Sequence, residues 1–298
     1  MWADIFNSYR RSHNMDEVLS QLKSGLDQIS CDYIDKHEQL LDIAPYYQDT
    51  FLKEEFLWTD TDKALRQHYE KLIQSGTVPF LQNANYEWGS SLTNMYGLYD
   101  LPQSTLNNLA GKAIVDGGAY IGDTVLVFKH FFAQSKIIAF EPVSKNYKQL
   151  TSMFQEAIDK GTVEAINLGL GAQKSTMRIS RVQGEVDSMA SLIRDYKVDT
   201  LYEDIKVITL DSFVSEHQVS VGLIKLDGEG FEEDILKGAL HTITTQKPIL
   251  VIAMYHHPEQ FYGMKSYLES LNLGYKFRVR RSCYGSPLCE LVLIAYQD

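Results

Sequence analysis

The sequence predicts an α/β fold: a doubly wound, mostly parallel seven-stranded sheet preceded by a helical N-terminal region. Three observations predict it. From Lys112 onward, short apolar runs alternate with amphipathic segments. The first apolar run, Ala113-Ile-Val-Asp116, breaks into Gly117-Gly118-Ala-Tyr120-Ile-Gly122-Asp123-Thr124. The next run ends in Glu141-Pro142, nineteen positions after Gly122. A strand that breaks into a glycine turn, leads into a helix and returns as a strand ending in an acid is how α/β folds hold an adenosine-containing cofactor.

The elements follow in order. Val18, Leu19, Leu22, Leu26 and Ile29 recur at helical spacing behind Asp16-Glu17, and a second amphipathic segment runs from Asp62 to Ile73 before Gly76 stops it. An aromatic, glycine-bearing stretch from Thr77 to Asp100, with Phe80, Tyr86, Trp88, Tyr96 and Tyr99, serves either as core filler or as the lining of a substrate pocket. Strands are expected near 113–117, 137–141, 163–168, 223–227, 249–254, 275–281 and 289–296, the last two forming a hairpin. An insertion at about 174–211 contains the strand-like Met177–Ser180 and Ile205–Ile208, and its polar middle, Gly184–Ser191, is expected as a loop over the site. The change in pattern places a domain boundary between 1–110 and 111–298.

Glycine spacing separates two classes of cofactor. A dinucleotide fingerprint needs G-x-G-x-x-G, whose second glycine lets the backbone touch a pyrophosphate. Here the pattern is Asp116-x-Gly118-x-x-x-Gly122, with Tyr120 where a middle glycine would stand. It resembles the first motif of class I S-adenosylmethionine-dependent methyltransferases. By that resemblance Gly118 admits the methionine part of the cofactor, Asp116 lies near its ammonium group, and Gly117, Tyr120, Gly122 and Thr124 complete the turn. Glu141, followed by Pro142, stands where a carboxylate can accept hydrogen bonds from two ribose hydroxyls.

A second cluster is Leu223-Ile-Lys-Leu-Asp227-Gly228-Glu229-Gly230, leading into Leu236-Lys-Gly-Ala239. An apolar strand ending this way puts two carboxylates at a sheet's carboxyl edge, where open α/β folds bind ligands. With the glycine turn and Phe140-Glu141-Pro142, it resembles the FkbM methyltransferase family over about residues 111–298. The chain departs from that family's usual pattern at Tyr120, where Asn is common, and at Gly228, where an apolar residue is common. The resemblance implies methyl transfer from S-adenosylmethionine to a hydroxyl of a sugar, glycan or secondary metabolite. Oxygen attack needs a base, for which Asp227 and Glu229 are candidates. The fifth strand runs into Tyr255-His256-His257, so a histidine, His256 or His257, is a further candidate base. Adjacent side chains on a strand alternate in direction, so at most one of the two is expected to face the site. Asp227, Glu229 and a histidine also make a possible divalent-metal set that would acidify the hydroxyl. A protein or RNA acceptor, or a non-catalytic docking module, are the competing functions.

Composition limits these classes. Residues 1–110 carry net −8 and residues 111–298 net −3 of the chain's −11, which disfavours a nucleic-acid partner. Arg278, Arg280 and Arg281 alternate along a strand and are expected as a solvated face. No apolar run approaches the roughly 18 residues of a membrane span. The Met-Trp-Ala-Asp start lacks a secretory pattern, so a cytoplasmic protein is expected. Cys31, Cys283 and Cys289 are expected as reduced thiols, with no zinc site. The acidic helical third offers a surface for a homodimer.

Overall fold

The structure, a computed structural model, describes residues 2–44, 57–75, 91, 94–182, 200–283 and 287–298. The chain packs as two compact units: Met1–Leu101 with Ala253–Ala295, and Pro102–Ile252 with Tyr296–Asp298. That Ala253–Ala295 groups with the N-terminal residues is marked by no shift of composition.

The alternating pattern begins in the second unit, and its last two strands, Lys276–Arg281 and Leu291–Tyr296, lie up to Ala295 in the segment grouped with the first. Strands β1 (Ala113–Gly117), β2 (Ile137–Phe140) and β3 (Val163–Ile166) lie at one side of the large sheet. Strands β4 (Gly169–Leu170), β5 (Ser175–Val182) and β6 (Thr200–Ile208) form a separate three-stranded sheet, ordered β4-β6-β5. Strands β7 (Val221–Leu226), β8 (Ile249–Ala253), β9 (Lys276–Arg281) and β10 (Leu291–Tyr296) complete the large sheet, whose order is β3-β2-β1-β7-β8-β10-β9. The expected seven strands are present. Pairing from β3 through β8 is parallel, with Asp116 opposite Lys225 and Leu226 opposite Ile252. Parallel strands are covered on both faces, which is why β1, β2, β7 and β8 are buried at every position.

The N-terminal helices are α1 (Trp2–Ser12), α2 (Met15–Lys23), α3 (Gln28–Ile43) and α4 (Asp60–Ser75). Those of the second unit are α5 (Gln103–Asn107), α6 (Asp123–Phe131), α7 (Ser144–Met153), α8 (Gln155–Asp159), α9 (Leu210–His217), α10 (Glu232–Lys237) and α11 (Leu240–Gln246). Helix α12 (Pro258–Ser270) belongs to the first unit. Among the described residues, no helix is long and apolar enough to cross a membrane.

Two expectations are corrected. The periodic segment Val18–Ile29 is two helices, because Gly25 takes φ +74° and Asp27 then caps α3 by accepting from the Ser30 N–H at 2.9 Å. The arginines of β9 are no solvated face. Arg280 and Arg281 are 0% and 1% exposed. Arg280 reaches Asp27 at 2.6 Å and also pairs with Asp100, while Arg281 pairs with Asp62 at 2.9 Å and lies over the rings of Tyr33 and Trp58. The strand pattern alone reads these arginines as solvent-facing, because it does not show the acids that the N-terminal segment sets against them. Among the described residues, Cys31, Cys283 and Cys289 form no disulfide. Phe80, Tyr86, Trp88 and Gly184–Ser191 lie outside the described residues.

Candidate functional site

The strand order β2-β1-β7 makes β1 the switch point of the sheet, and the carboxyl ends of these three strands deliver Glu141, Asp116–Gly118 and Asp227 to one edge. Asp116, the fourth residue of β1, is fully buried. It accepts from the Thr124 hydroxyl at 2.5 Å and pairs with Lys225 Nζ at 3.1 Å, and Lys225 also donates to the Gly118 carbonyl at 2.8 Å. The Asp116 carboxylate is therefore engaged with the protein's own groups. Lys225 was not singled out from sequence; a lysine inside the apolar run Val-Gly-Leu-Ile-Lys-Leu was the available signal, but its partner follows only from the register with Asp116.

Gly118 has φ +80°, and a Cβ there would stand 1.9 Å from the Asp227 carbonyl oxygen. The Asp227 N–H in turn donates to the Gly117 carbonyl at 2.9 Å. The turn after β1 and the loop after β7 are thus stitched together, and chain packing alone requires glycine at 118. Gly122, at φ +98°, caps α6 where a side chain would strike the Phe154 ring. Tyr120 is also left-handed, at φ +48°, and its N–H donates to Glu141 Oε2 at 2.8 Å.

Glu141 directly follows β2 and is almost fully buried. Its Oε1 accepts from the Val143 N–H at 2.9 Å and the Asn146 amide at 3.3 Å, while Asn167 holds the Glu141 and Pro142 carbonyls at 2.9 and 3.1 Å. Burial pushes its pKa up to about 7, against the opposing pull of those N–H groups and of Lys225. Asp123 is raised to about 6, by burial first and then by Asp116 and Asp227 acting against Lys225. Burial opposes the charge on Lys225, yet the surrounding aspartates hold its pKa above the ordinary lysine value.

After β7 the chain bends sharply. Glu229 has φ +54° and Gly230 φ +103°, and the Gly228 and Gly230 N–H groups donate to Glu232 Oε1 at 2.7 and 3.4 Å. Glu232 is fully buried and was also missed from sequence, where it reads as one of three consecutive acids opening a helix. Gly228, unusual for the motif, has Ile235 beneath it: a Cβ would come within 2.9 Å of that side chain. His256 and His257 follow β8 in the first unit, His257 as the extended residue before Pro258 of α12. Helix α7 and strand β6 line an open cleft of about 540 Å³ with Ser144, Lys145, Lys148, Gln149, Tyr202 and Glu203.

The profile of the methyltransferase FkbM domain matches residues 116–277, which runs from the Asp116 turn through the Asp227 loop into β9. The chain belongs to the FkbM methyltransferase family. Methyltransferase 1 of Beauveria bassiana is 25% identical over 202 residues, spanning 61% of this chain and 79% of that protein. The crystal structure of methyltransferase FkbM from Methylobacillus flagellatus is 17% identical with a TM-score of 0.49. It covers 88% of this chain, and the chain spans 61% of its length. Fibrillarin of Aeropyrum pernix, solved with S-adenosyl-L-methionine, is 13% identical with a TM-score of 0.40 over 70% of this FkbM-family chain and 73% of its own.

Proposed function

We propose that this chain transfers a methyl group from S-adenosylmethionine to a hydroxyl oxygen of a sugar, glycan or secondary-metabolite acceptor. The observation that carries the reading is the edge at which three strands bring the glycine turn, Glu141 and the Asp227 loop together. Its residues fit the donor. Glu141 is a buried carboxylate at the tip of β2, suited to two ribose hydroxyls. Asp116, Asp123 and Asp227 surround the single ammonium of Lys225, so the turn carries an excess of negative charge, matching a donor with a sulfonium. Gly117, Gly118, Tyr120, Gly122 and Thr124 shape the turn, and Pro142 fixes the chain after Glu141.

S-adenosylmethionine would supply the activated methyl group; the chain's residues hold the acceptor and take its proton. Asp227 and Glu229 are the candidate proton acceptors, with His256 as the alternative. Asp227 has its backbone fixed by the Gly117 carbonyl, which limits its side chain to few positions. The open cleft between α7 and β6 falls within the size range of small-molecule sites and is a candidate for the acceptor's outer part.

Calorimetric titration tests the donor: S-adenosylmethionine should bind and NAD should not, and the reverse result ends this reading. A screen of nucleotide sugars and glycans with radiolabelled donor then identifies the acceptor. With an acceptor in hand, Asp227→Asn should leave donor affinity nearly intact and lower kcat by about 10²–10⁴. Wild-type turnover in that variant removes Asp227 from the chemistry, and His256→Ala then tests the imidazole.

A further inference from the structure

We propose that Glu232 is a positioning residue. It fixes the Asp227–Glu229 loop through the Gly228 and Gly230 amides, and through the seam between Asp227 and Gly118 it fixes the donor turn as well. The inference rests on the methyltransferase reading of that turn.

The geometry is that of an anion nest. Two successive left-handed residues, Glu229 and Gly230, bend the backbone so that the Gly228 and Gly230 N–H groups converge, an arrangement that binds negatively charged oxygen. Here the oxygen is Glu232 Oε1, at 2.7 and 3.4 Å. A left-handed conformation at a residue with a side chain, as at Glu229, persists only where the surroundings over-determine it. The Glu232 carboxylate supplies that constraint from below. From the other side, Asp227 is held by the Gly117 carbonyl at 2.9 Å, and its own carbonyl occupies the space a Cβ at Gly118 would take.

The contacts therefore run from the Glu232 carboxylate to the Gly228 amide, and from there along the backbone through Asp227 to Gly117 and Gly118. Glu232 is fully buried and its Oε1 accepts from both loop amides, so the role argued for it runs through the loop. The bland alternative is that Glu232 merely starts α10, where an acid complements the helix dipole. The two roles differ in what they require. A helix-starting charge is served equally by Asp, whereas the nest needs an acceptor at the length of Glu or Gln.

The test uses the full chain with S-adenosylhomocysteine as calorimetric probe, alongside amide exchange at Gly228 and Gly230 by NMR. Glu232→Ala should weaken binding by about 10- to 100-fold and strip protection from both amides, the scale expected when a supporting contact shifts a binding element by about an ångström. Glu232→Gln, which keeps the acceptor oxygen, should bind within about threefold of wild type and keep the Gly228 amide protected. Glu232→Asp, with the charge but not the reach, should behave like the alanine variant; it also serves if the alanine variant fails to fold. Wild-type affinity in Glu232→Asp overturns the proposal, as does a glutamine variant as weak as alanine while its Gly228 amide stays protected. Failure of the wild type to bind the probe would instead defeat the methyltransferase reading, and amide exchange would then decide the role of Glu232 alone.

Discussion

The two units bury charge in opposite ways. In the first, each buried arginine of β9 meets carboxylates from the N-terminal segment: Arg280 meets Asp27 and Asp100, Arg281 meets Asp62. In the second, among the described residues, Asp116, Asp123 and Asp227 around β1 and β7 outnumber the buried Lys225. The consequence appears in the protons. Burial alone would raise the Asp27 pKa, but hydrogen bonds from Arg280 and Ser30 bring it down to about 2. Asp123 and Glu141 go the other way, to about 6 and about 7. Compensated charge is held ionised, whereas at the sheet edge burial with too few cations leaves Asp123 and Glu141 holding their protons to higher pH.

The sharpest way to break this comparison is to uncompensate the first unit. Arg281→Met leaves Asp62 buried beside Tyr33 and Thr59 with its charge unopposed, and should cost about 3–5 kcal/mol in urea unfolding. Thr59 and Asp62 also form a reciprocal cap at the start of α4: the Thr59 N–H donates to Asp62 Oδ2 at 3.0 Å and the Asp62 N–H to Thr59 Oγ1 at 3.1 Å. Asp62→Asn keeps part of that cap and removes the charge. The double variant should therefore be more stable than Arg281→Met alone. Simple additivity of the two losses would show that the pair was not held by charge.

A second experiment compares the pH slopes. Glu141 ionises at about 7 in the folded chain against an ordinary 4.5, so the native state binds the extra proton between those values. Stability from this group is present below pH 4.5 and is lost as pH rises toward 7, on the order of 3 kcal/mol in all. Asp27 has the reverse sign: its contribution is present above pH 3.8 and is lost as pH falls toward 2. Glu141→Gln should flatten the first slope and Asp27→Asn the second. Donor binding adds a check, since ribose hydroxyls favour the charged carboxylate. Affinity should rise from pH 6 to 8 in the wild type, by up to about tenfold per unit, and lose that rise in Glu141→Gln.

Legibility from sequence followed the range of the interactions. Strand positions, the glycine turn and the acids at strand ends were readable because apolar alternation and motif spacing are local. Lys225 and Glu232 were not. Lys225 owes its role to a neighbour 109 positions earlier in sequence, brought opposite it by strand register. Glu232 owes its role to two left-handed residues that no composition marks. The β9 arginines failed for the same reason, since Asp27, Asp62 and Asp100 approach them only after the helices fold. Gly118 reads from sequence as the position that admits the cofactor, whereas the structure gives a reason within the chain itself, the Asp227 carbonyl that a Cβ would strike.

The smallest expected effect tests whether pairing matters without burial. Arg178 and Asp204 face each other across β5 and β6 with a hydrogen bond of 2.8 Å, and side chains 68% and 55% exposed. Their geometry matches that of Arg281 with Asp62, at 2.9 Å, so distance does not separate the two pairs. Solvent does. Water screens the exposed charges and solvates either one when the other is removed, whereas the interior offers Asp62 no such replacement. Asp204→Ala should leave the urea midpoint unchanged within error while Arg281→Met shifts it strongly. If the two variants destabilised equally, the distinction between the units would lie in local strand pairing, and burial of charge would have to be dropped as its cause.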